Sequence, residues 1–583
     1  MHRSRRSAPL LIAAALAASA CGLDLAQKAP VPEPTGPSAV LLEVDGAMPS
    51  FSTAPSLFAP FAVSQQRLES LFDRAAKDIM VQEIVIRFGA PQMGWARASE
   101  ISDAIAKLAA SGKPVTCHLD AADNLTYWMA ARACPRITVA PGGGIDLVGL
   151  SLQEIFLKEL LASMGITADM LHIGKYKDAA EPLTSTEMSP ESREAAESLV
   201  GALHDSLVAG IAQGRKKEPA AVAALIDGGP YTPKGAVAAG LADAVETLGA
   251  QLEKLRDKYA GGVVDDYGKE PAKPFSLGEL FTLFGAAEEK KAPEHPRIAL
   301  VPAVGPIVSG GGGDSMFGGM EVIDDLELAD ALSQASRDPS VKAIVLRIDS
   351  PGGSALASDN LYEAVRAAAK RKPVIASMGD VAASGGYYLA AAATEVLASE
   401  STLTGSIGVV GGKIVFGEGL GKIGVRTSTV ESGKRASISS PFAPFTDEER
   451  ALVTAQMQEA YDLFVDRVAE GRSLPREKVL AAAEGRVWTG RQALGMKLVD
   501  KLGTLEAAID RARELSGAKG APAELYPAPK SFMEELGERL SQQDPAAFAL
   551  ARRTAIGRRA LAMGGLLVES RVLAYAPLSL EVR

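Results

Sequence analysis

One serine of this 583-residue sequence stands where a nucleophile is expected. Ser384 lies in the run 382–388 (AASGGYY), which follows a predicted strand and opens a predicted helix. At such a turn a serine side chain is exposed beside backbone N–H groups and the positive end of the helix. Gly385 lets the chain pass close to a carbonyl group and offers one N–H to an oxyanion. The pattern predicts attack by Ser384 on a carbonyl carbon.

A second glycine-rich turn precedes this one. Residues 349–353 (DSPGG) follow another predicted strand, and Gly352 and Gly353 could supply a second N–H donor for the oxyanion. Either glycine pair alone indicates only a turn. Two such turns, about 30 residues apart in one α/β unit, are a much more specific indication of an oxyanion site.

A serine nucleophile needs a base, and histidine is scarce in this sequence. No histidine follows His295, so a Ser-His-Asp triad would have to take His118, His172 or His204 from the first half of the chain. A lysine is the alternative, provided that it is neutral. Burial can lower a lysine pKa from about 10.4 to about 7–8, which makes it a usable base.

The chain contains an internal repeat, and the repeat indicates which lysine could act as the base for Ser384. The same offset of 257–260 positions recurs along the sequence, and the two copies span 38–260 and 295–515. The matched pairs are Pro91 with Pro351, Lys113 with Lys372, Gly149 with Gly408, and Tyr231 with Trp488.

The two copies have lost complementary parts of one site. Lys177 of the first copy aligns with Ala436 of the second, whereas Ser384 of the second aligns with about Asn124 of the first. The turn 351–353 (PGG) likewise aligns with 91–93 (PQM). If one composite site is built across both copies, each copy is expected to lose the part that the other retains. We therefore predict that Lys177 serves Ser384 as general base.

The elements around these residues alternate between strand and helix. In the second copy, 343–348 and 373–378 are apolar runs typical of strands, and helices are predicted at 358–370 and from Gly385. This alternation predicts α/β domains with largely parallel sheets, present as a tandem duplication. Residues 261–294 are rich in Pro, Lys and Glu and are predicted to be a linker, and 516–583 form a C-terminal tail.

The N-terminus has the pattern of an export signal. Residues 2–6 (HRSRR) are basic, and 8–20 are apolar and too short for a bilayer span, which needs about 20 residues. Residues 18–21 (ASAC) resemble a bacterial lipobox, so 1–21 are predicted to be a lipoprotein-type signal with lipidation at Cys21. An ordinary cleaved signal is the alternative. Residues 22–37 are predicted to be a tether.

Other classes of function are disfavoured by composition. A net charge of −10 with no long basic run argues against nucleic acid as a partner, and the five histidines show no metal-ligand spacing. No cofactor is predicted. Cys117 and Cys134 are expected to be buried thiols, with a single disulfide as the alternative in an oxidising compartment.

The motifs together resemble the bacterial signal peptide peptidase A (protease IV) family in its long, duplicated form. The resemblance rests on 349–353, on 383–387, on 404–408 (TGSIG) and on 174–177 (GKYK). It implies a Clp-protease/crotonase-like fold, a Ser-Lys dyad of Ser384 and Lys177, and a hydrogen bond from Ser406 to the lysine. It also implies a homotetramer that cleaves signal peptides and other apolar peptides in the cell envelope.

The predicted anchor departs from that family pattern, because long-form relatives usually carry a transmembrane N-terminus. A lipid at Cys21 would place the chain facing the periplasm on the inner or the outer membrane. Two other functions remain as alternatives, a catalytically inactive ring-forming scaffold and a crotonase-like acyl enzyme. The intact Ser384 and Lys177 argue against the scaffold, and the export signal argues against an enzyme that uses cytoplasmic acyl-CoA.

Overall fold

The computed structural model of the chain describes residues 34, 36–51, 63–268, 295–310, 322–528 and 573–575. The predicted signal peptide with Cys21, most of the tether and most of the linker and tail lie outside the described residues. Within the described part of the chain, no helix combines the length and the apolar character needed to cross a bilayer.

The first copy is built on a six-stranded parallel sheet of order β6-β4-β3-β2-β1-β7. Residues 84–86 of its β2 strand are apolar, β-branched and fully buried, as expected of a parallel strand covered on both faces. The strands of this copy are Ser38–Val44 (β1), Val81–Phe88 (β2), Val115–Leu119 (β3), Arg136–Val139 (β4), Thr167–Ile173 (β5), Ala244–Val245 (β6) and Val263–Val264 (β7). The helices are Gln65–Lys77 (α1), Trp95–Ala109 (α2), Asn124–Ala133 (α3), Lys158–Ser163 (α4), Glu181–Thr184 (α5), Pro190–Arg215 (α6), Pro219–Asp227 (α7), Pro233–Ala238 (α8) and Leu248–Lys258 (α9).

The second copy repeats this plan on an eight-stranded, mostly parallel sheet. Its main path is β17-β15-β13-β11-β8-β19, with β14 paired to β13 and β18 paired to β14. The strands are Arg297–Val304 (β8), Ile307–Val308 (β9), Ile323–Asp324 (β10), Val341–Ser350 (β11), Gly352–Ser354 (β12), Val374–Ala383 (β13), Glu395–Ala398 (β14), Leu403–Gly405 (β15), Val409–Val415 (β16), Val487–Thr489 (β17), Lys501–Leu502 (β18), Ala523–Leu525 (β19) and Leu573–Tyr575 (β20). The helices are Asp325–Arg337 (α10), Ala355–Ala369 (α11), Gly385–Ala391 (α12), Gly417–Lys422 (α13), Asp447–Gly471 (α14), Arg476–Ala482 (α15), Gly490–Gly495 (α16) and Leu505–Ser516 (α17).

Equivalent side chains in the two copies make equivalent bonds. The Nζ of Lys113 donates to the carbonyls of Ala75 and Asp78, and the Nζ of Lys372 donates to those of Ala335 and Asp338. The hydroxyl of Tyr127 likewise donates to the carbonyl of Leu241, and the hydroxyl of Tyr387 donates to the carbonyl of Leu498. These contacts, together with the two sheets, confirm the predicted α/β tandem duplication. The strands and helices predicted for 343–391 are also present, as β11, α11, β13 and α12.

The copies do not stand apart, because a third sheet contains strands from both. Its order is β10-β9-β12-β20-β16-β5, and β5 of the first copy pairs with β16 of the second along seven residue pairs, antiparallel. This pairing places the residues that follow β5 next to the second copy.

Buried charges also cross the boundary between the copies. Glu100 on α2 accepts from both terminal nitrogens of Arg347 on β11, at 2.8 and 2.7 Å, and both side chains are almost fully buried. Asp380 of the second copy accepts from the backbone N–H groups of Gly94 and Arg97, at the first turn of α2. Since the N-cap residue Gly94 has no side chain to cap the helix, a carboxylate from the other copy caps it.

Cys117 and Cys134 form a disulfide, which connects β3 to the residue that ends α3. The expectation of buried free thiols is therefore wrong, and the alternative, a single disulfide, is the one present.

Candidate active site

Ser384 lies between β13 and α12 in an uncommon backbone conformation. Its φ is 54° and its ψ is −116°, and such a conformation costs on the order of 1–3 kcal/mol for a residue with a Cβ. The surrounding bonds fix it, because the Ser384 N–H donates to the carbonyl of Gly405 at 2.8 Å and its carbonyl accepts from Tyr388 at 2.9 Å. The side chain is fully buried rather than exposed as the turn pattern suggested, since other side chains pack against it.

The nearest of these side chains is Lys177, from the other copy. Its Nζ lies 2.9 Å from the Oγ of Ser384. The lysine is itself only 2% exposed, an unusual environment for this residue type. The structure thus brings together the two residues that the divided repeat singled out, in the geometry that a nucleophile and its base require.

Burial changes the proton affinity of this lysine. Desolvation lowers the pKa of Lys177 to about 7, against an opposing effect of the nearby carboxylate of Asp178. Asp178 receives a hydrogen bond from the Oγ of Ser192 at 2.7 Å. A lysine with this pKa is half neutral near pH 7 and can accept a proton there.

Ser406 completes the environment of the amine. The Nζ of Lys177 donates to the Oγ of Ser406 at 3.0 Å and to its carbonyl at 3.1 Å. Ser406 also has a positive φ, 52°, and its N–H donates to the carbonyl of Arg486 at 2.8 Å. The contact between Ser406 and the lysine that the family resemblance implied is therefore present in the structure.

A turn at residues 484–486 positions both Lys177 and Ser406, and the sequence analysis missed it. The Tyr176 N–H donates to the carbonyl of Glu484, and the N–H of Gly485 donates to the carbonyl of Ile407, both at 2.8 Å. A Cβ placed on Gly485 would lie 2.5 Å from the backbone nitrogen of Lys177, and its φ is 82°. Glycine is therefore required there by close approach as well as by conformation. The repeat offers a signal for it, because Gly228 stands at the same offset of 257 as Tyr231 and Trp488.

The two glycine-rich turns also meet at Ser384. A Cβ placed on Gly385 would lie 3.1 Å from the Cα of Gly352, so this glycine allows the two turns to come into contact. Gly352 has a φ of 98°, and its N–H donates to the Oγ of Ser350 at 3.1 Å. Gly353 passes so close to the carbonyl of Ile307 that a Cβ would lie 2.0 Å from that oxygen. The turns predicted to hold an oxyanion are thus adjacent to the predicted nucleophile.

The equivalent place in the first copy is closed. Asn124 is buried there, and its Oδ1 accepts from the N–H groups of Val148 and Gly149 while its Nδ2 donates to the carbonyl of Gly149. An amide with these bonds is satisfied and is no nucleophile. Among the described residues, no group of three His, Cys, Asp or Glu side chains is arranged to hold a metal ion.

Comparison with known proteins assigns this arrangement to a class. The sequence matches Clp protease over residues 321–402, which include β13, Ser384 and α12. The two copies therefore have a Clp-protease-like fold, as predicted, and the architecture is that of a serine peptidase.

The chain belongs to Peptidase family S49, which it matches twice, at 107–260 and 366–519. Similar proteins include the chloroplastic serine protease SPPA of Arabidopsis thaliana, 32% identical over 78% of this chain and 66% of that protein. Protease 4 of Salmonella typhi is 32% identical over 84% of this chain and 80% of that protein. A putative signal peptide peptidase SppA of Enterococcus faecium is 35% identical over 31% of this chain and 52% of that protein.

Proposed function

We propose that this chain is a membrane-associated serine endopeptidase in which Ser384 is the nucleophile and Lys177 the general base. The observation that carries the proposal is the 2.9 Å contact between the Lys177 Nζ and the Ser384 Oγ in a buried environment. The lowered pKa of Lys177, about 7, supports the same assignment, because a protonated amine cannot accept the serine proton.

The proposed cycle has two halves. The Ser384 Oγ attacks the scissile carbonyl carbon while its proton passes to the Nζ of Lys177, giving a tetrahedral oxyanion. The N–H of Gly385 and an N–H of the turn at Gly352 and Gly353 stabilise this oxyanion. The lysine then returns the proton to the leaving amine, and an acyl-enzyme remains on Ser384. A water molecule then gives a proton to the lysine and attacks the ester carbonyl carbon. The lysine passes this proton to the Ser384 Oγ as the acyl–oxygen bond breaks, which releases the second product and restores the neutral amine.

A serine-directed fluorophosphonate probe tests the nucleophile separately from any choice of substrate. We expect one labelled serine, Ser384, identified by mass spectrometry, and no labelling of the Ser384→Ala variant. Ser401→Ala is the matched control, because Ser401 is also a buried serine but lies outside the site. An unlabelled wild-type chain that also cleaves no peptide would point to the inactive scaffold instead.

The proposed substrates are signal peptides left after export and other apolar peptides of the envelope. The family membership and the similarity to the putative signal peptide peptidase SppA of Enterococcus faecium support this choice. Purified chain should cleave apolar signal-peptide fragments and should leave charged peptides of equal length largely intact. Equal cleavage of both sets would remove the apolar preference while leaving the peptidase assignment in place.

The membrane association is proposed to depend on lipid at Cys21, which lies outside the described residues. Several acyl chains on one lipoprotein residue are enough for stable attachment, whereas a single chain binds only marginally. Cys21→Ser should therefore move the protein from the membrane fraction to the soluble periplasmic fraction. A Cys21→Ser protein that stays with the membrane would implicate another part of the chain.

We further propose that the chain forms a homotetramer. Large apolar side chains are exposed on the segments around residues 148–164 and 423–442, as expected of surfaces that a neighbouring subunit covers. The clearest examples are Ile155, Ile423 and Val430, with exposed fractions of 72%, 74% and 98%. Light scattering after size exclusion should give four chains per particle, and Val430→Asp should lower that number.

A further inference from the structure

The guanidinium of Arg486 lies over two aromatic rings, one from each copy. Its Cζ is 4.9 Å from the ring centre of Tyr176 in the first copy and 4.5 Å from that of Trp488 in the second. The carboxylate of Glu194, on α6 of the first copy, accepts from the Nη1 of Arg486 at 2.5 Å and from the hydroxyl of Tyr176 at 3.0 Å. Arg486 therefore joins the two copies through two ring contacts and one ion pair.

Both rings are adjacent to the candidate active site. Tyr176 directly precedes Lys177 in the turn after β5. Trp488 packs against Gly405, since a Cβ on that glycine would lie 2.8 Å from the Cδ1 of the indole. The carbonyl of Gly405 in turn accepts from the N–H of Ser384 at 2.8 Å. The guanidinium that lies over both rings therefore contacts the neighbours of both the proposed base and the proposed nucleophile.

The backbone of Arg486 also contacts the site. Its carbonyl accepts from the N–H of Ser406 at 2.8 Å, and the Oγ and the carbonyl of Ser406 both accept from the Nζ of Lys177. Arg486 thus holds Ser406 with its backbone and Tyr176 with its side chain. These contacts determine where Ser406 lies relative to the turn that carries the lysine.

We propose that Arg486 is a positioning residue of the active site, which fixes the turn that carries Lys177 against the turn that carries Ser406. The inference rests on the proposed peptidase function. Without its ring contacts, the turn at 484–486 should loosen from the backbone of Lys177, against which it packs, and admit water to the buried amine. Burial lowers the pKa of Lys177, so access of water should raise that pKa towards the ordinary value for a lysine.

Two carboxylates face the lysine turn from either side of the boundary between the copies. Asp178 raises the pKa of Lys177. Glu484 accepts from the N–H of Lys175 at 3.2 Å and from the hydroxyl of Tyr461 at 3.4 Å. Substitutions that leave both carboxylates in place can therefore separate a change of position from a change of charge.

Two such substitutions change position and charge differently. Arg486→Lys keeps the positive charge but has no planar guanidinium to lie over two rings. Glu194→Gln removes a negative charge, which by itself would lower the pKa of a nearby lysine, and it weakens the hold on the guanidinium. Arg491→Ala, which breaks an exposed ion pair with Glu400 in the same copy, is the matched control.

The pKa of Lys177 should be measured by NMR titration of chains labelled with 13C at the lysine Cε, with the signal assigned by its loss in Lys177→Ala. We expect Arg486→Lys and Glu194→Gln to raise this pKa from about 7 by about one unit, and Arg491→Ala to leave it unchanged. At pH 7 about one tenth of the amine would then be neutral instead of about one half, so turnover of an apolar peptide should fall about fivefold. Turnover should recover at about pH 9, because the amine is mostly neutral there in every chain.

A pKa that is unchanged or lowered in either folded variant would overturn the proposal, because a charge effect alone gives that result. A loss of turnover that persists at about pH 9 would also overturn it. If Arg486→Lys does not fold, Glu194→Gln still decides, since the Glu194 side chain is 57% exposed and its replacement should leave thermal unfolding unchanged. If the peptidase function itself is wrong, no chain cleaves the peptide while the raised pKa of the two variants remains.

Discussion

The Nζ of Lys177 lies 2.9 Å from the Oγ of Ser384, although the two residues are 207 positions apart in the sequence. The first copy supplies the lysine through the turn after β5, and the second supplies the serine at the start of α12. The contact exists only when the two copies are assembled on each other.

The first prediction concerns the pair itself. Ser384→Ala and Lys177→Ala should each reduce kcat/KM by about 10²–10⁴-fold or more, because one removes the nucleophile and the other its base. The kcat/KM of the double variant should be no lower than that of the less active single variant, since both groups act in the same step. Kinetics on an apolar peptide, with circular dichroism to verify the fold, provide the measurement. Near-normal turnover by Lys177→Ala would show that another group is the base.

The second prediction concerns pH. The pKa of Lys177 is lowered to about 7 by burial, so the neutral amine dominates above that pH and the protonated amine below it. The value of kcat/KM should therefore fall as pH decreases through about 7. An ordinary lysine would place this inflection near 10.4 instead.

Asp178 provides the control for that profile. Its charge raises the pKa of Lys177, so Asp178→Asn should shift the inflection to lower pH while the amide still accepts the hydrogen bond from Ser192. A profile that does not move, in a variant of unchanged stability, would show that the observed inflection belongs to another group.

The third prediction concerns the buried ion pair between the copies. Glu100→Ala leaves the Arg347 guanidinium buried without its partner and should lower the free energy of unfolding by about 3–5 kcal/mol. Chemical denaturation gives this value. Glu470→Ala, which breaks the exposed pair with Arg366, should cost at most about 1 kcal/mol. Similar losses for the two variants would mean that the buried pair does not stabilise the interface between the copies.

The fourth prediction concerns the disulfide. Its cysteines are 17 positions apart, and a bridge that closes a loop of this size contributes about 3 kcal/mol. Replacing Cys117 and Cys134 with alanine should lower Tm, and a reductant should lower the Tm of the parent chain but not that of the variant. Free thiols on both residues in the purified parent chain, detected by alkylation and mass spectrometry, would contradict the pairing.

The fold was largely predictable because the repeat aligned two sets of apolar strands and helices, such as β2 with β11. The proximity of Lys177 to Ser384 was predictable for the same reason, since a lysine retained in one copy and a serine retained in the other are informative only when aligned. Neither residue is distinctive alone.

The supporting contacts were not predictable from these patterns. Gly485 matters because a Cβ there would collide with the backbone of Lys177. The repeat marks this position through Gly228, but a sequence does not show what a turn glycine lies against. The burial of Ser384 was also missed, because it depends on a side chain from the other copy. The strand β20 could not be foreseen, since three residues of a tail carry no pairing signal.

Asn124 has a consequence for how this gene can evolve. With a bonded amide in place of a serine, the first copy has no nucleophile at this position. Under the proposed function, its own cleft can therefore change without loss of activity. Its lysine turn has no such freedom, because the other half of the chain depends on it. The duplication is therefore effectively irreversible: a deletion that restores a single-copy gene from either half would encode a protein with one member of the pair missing.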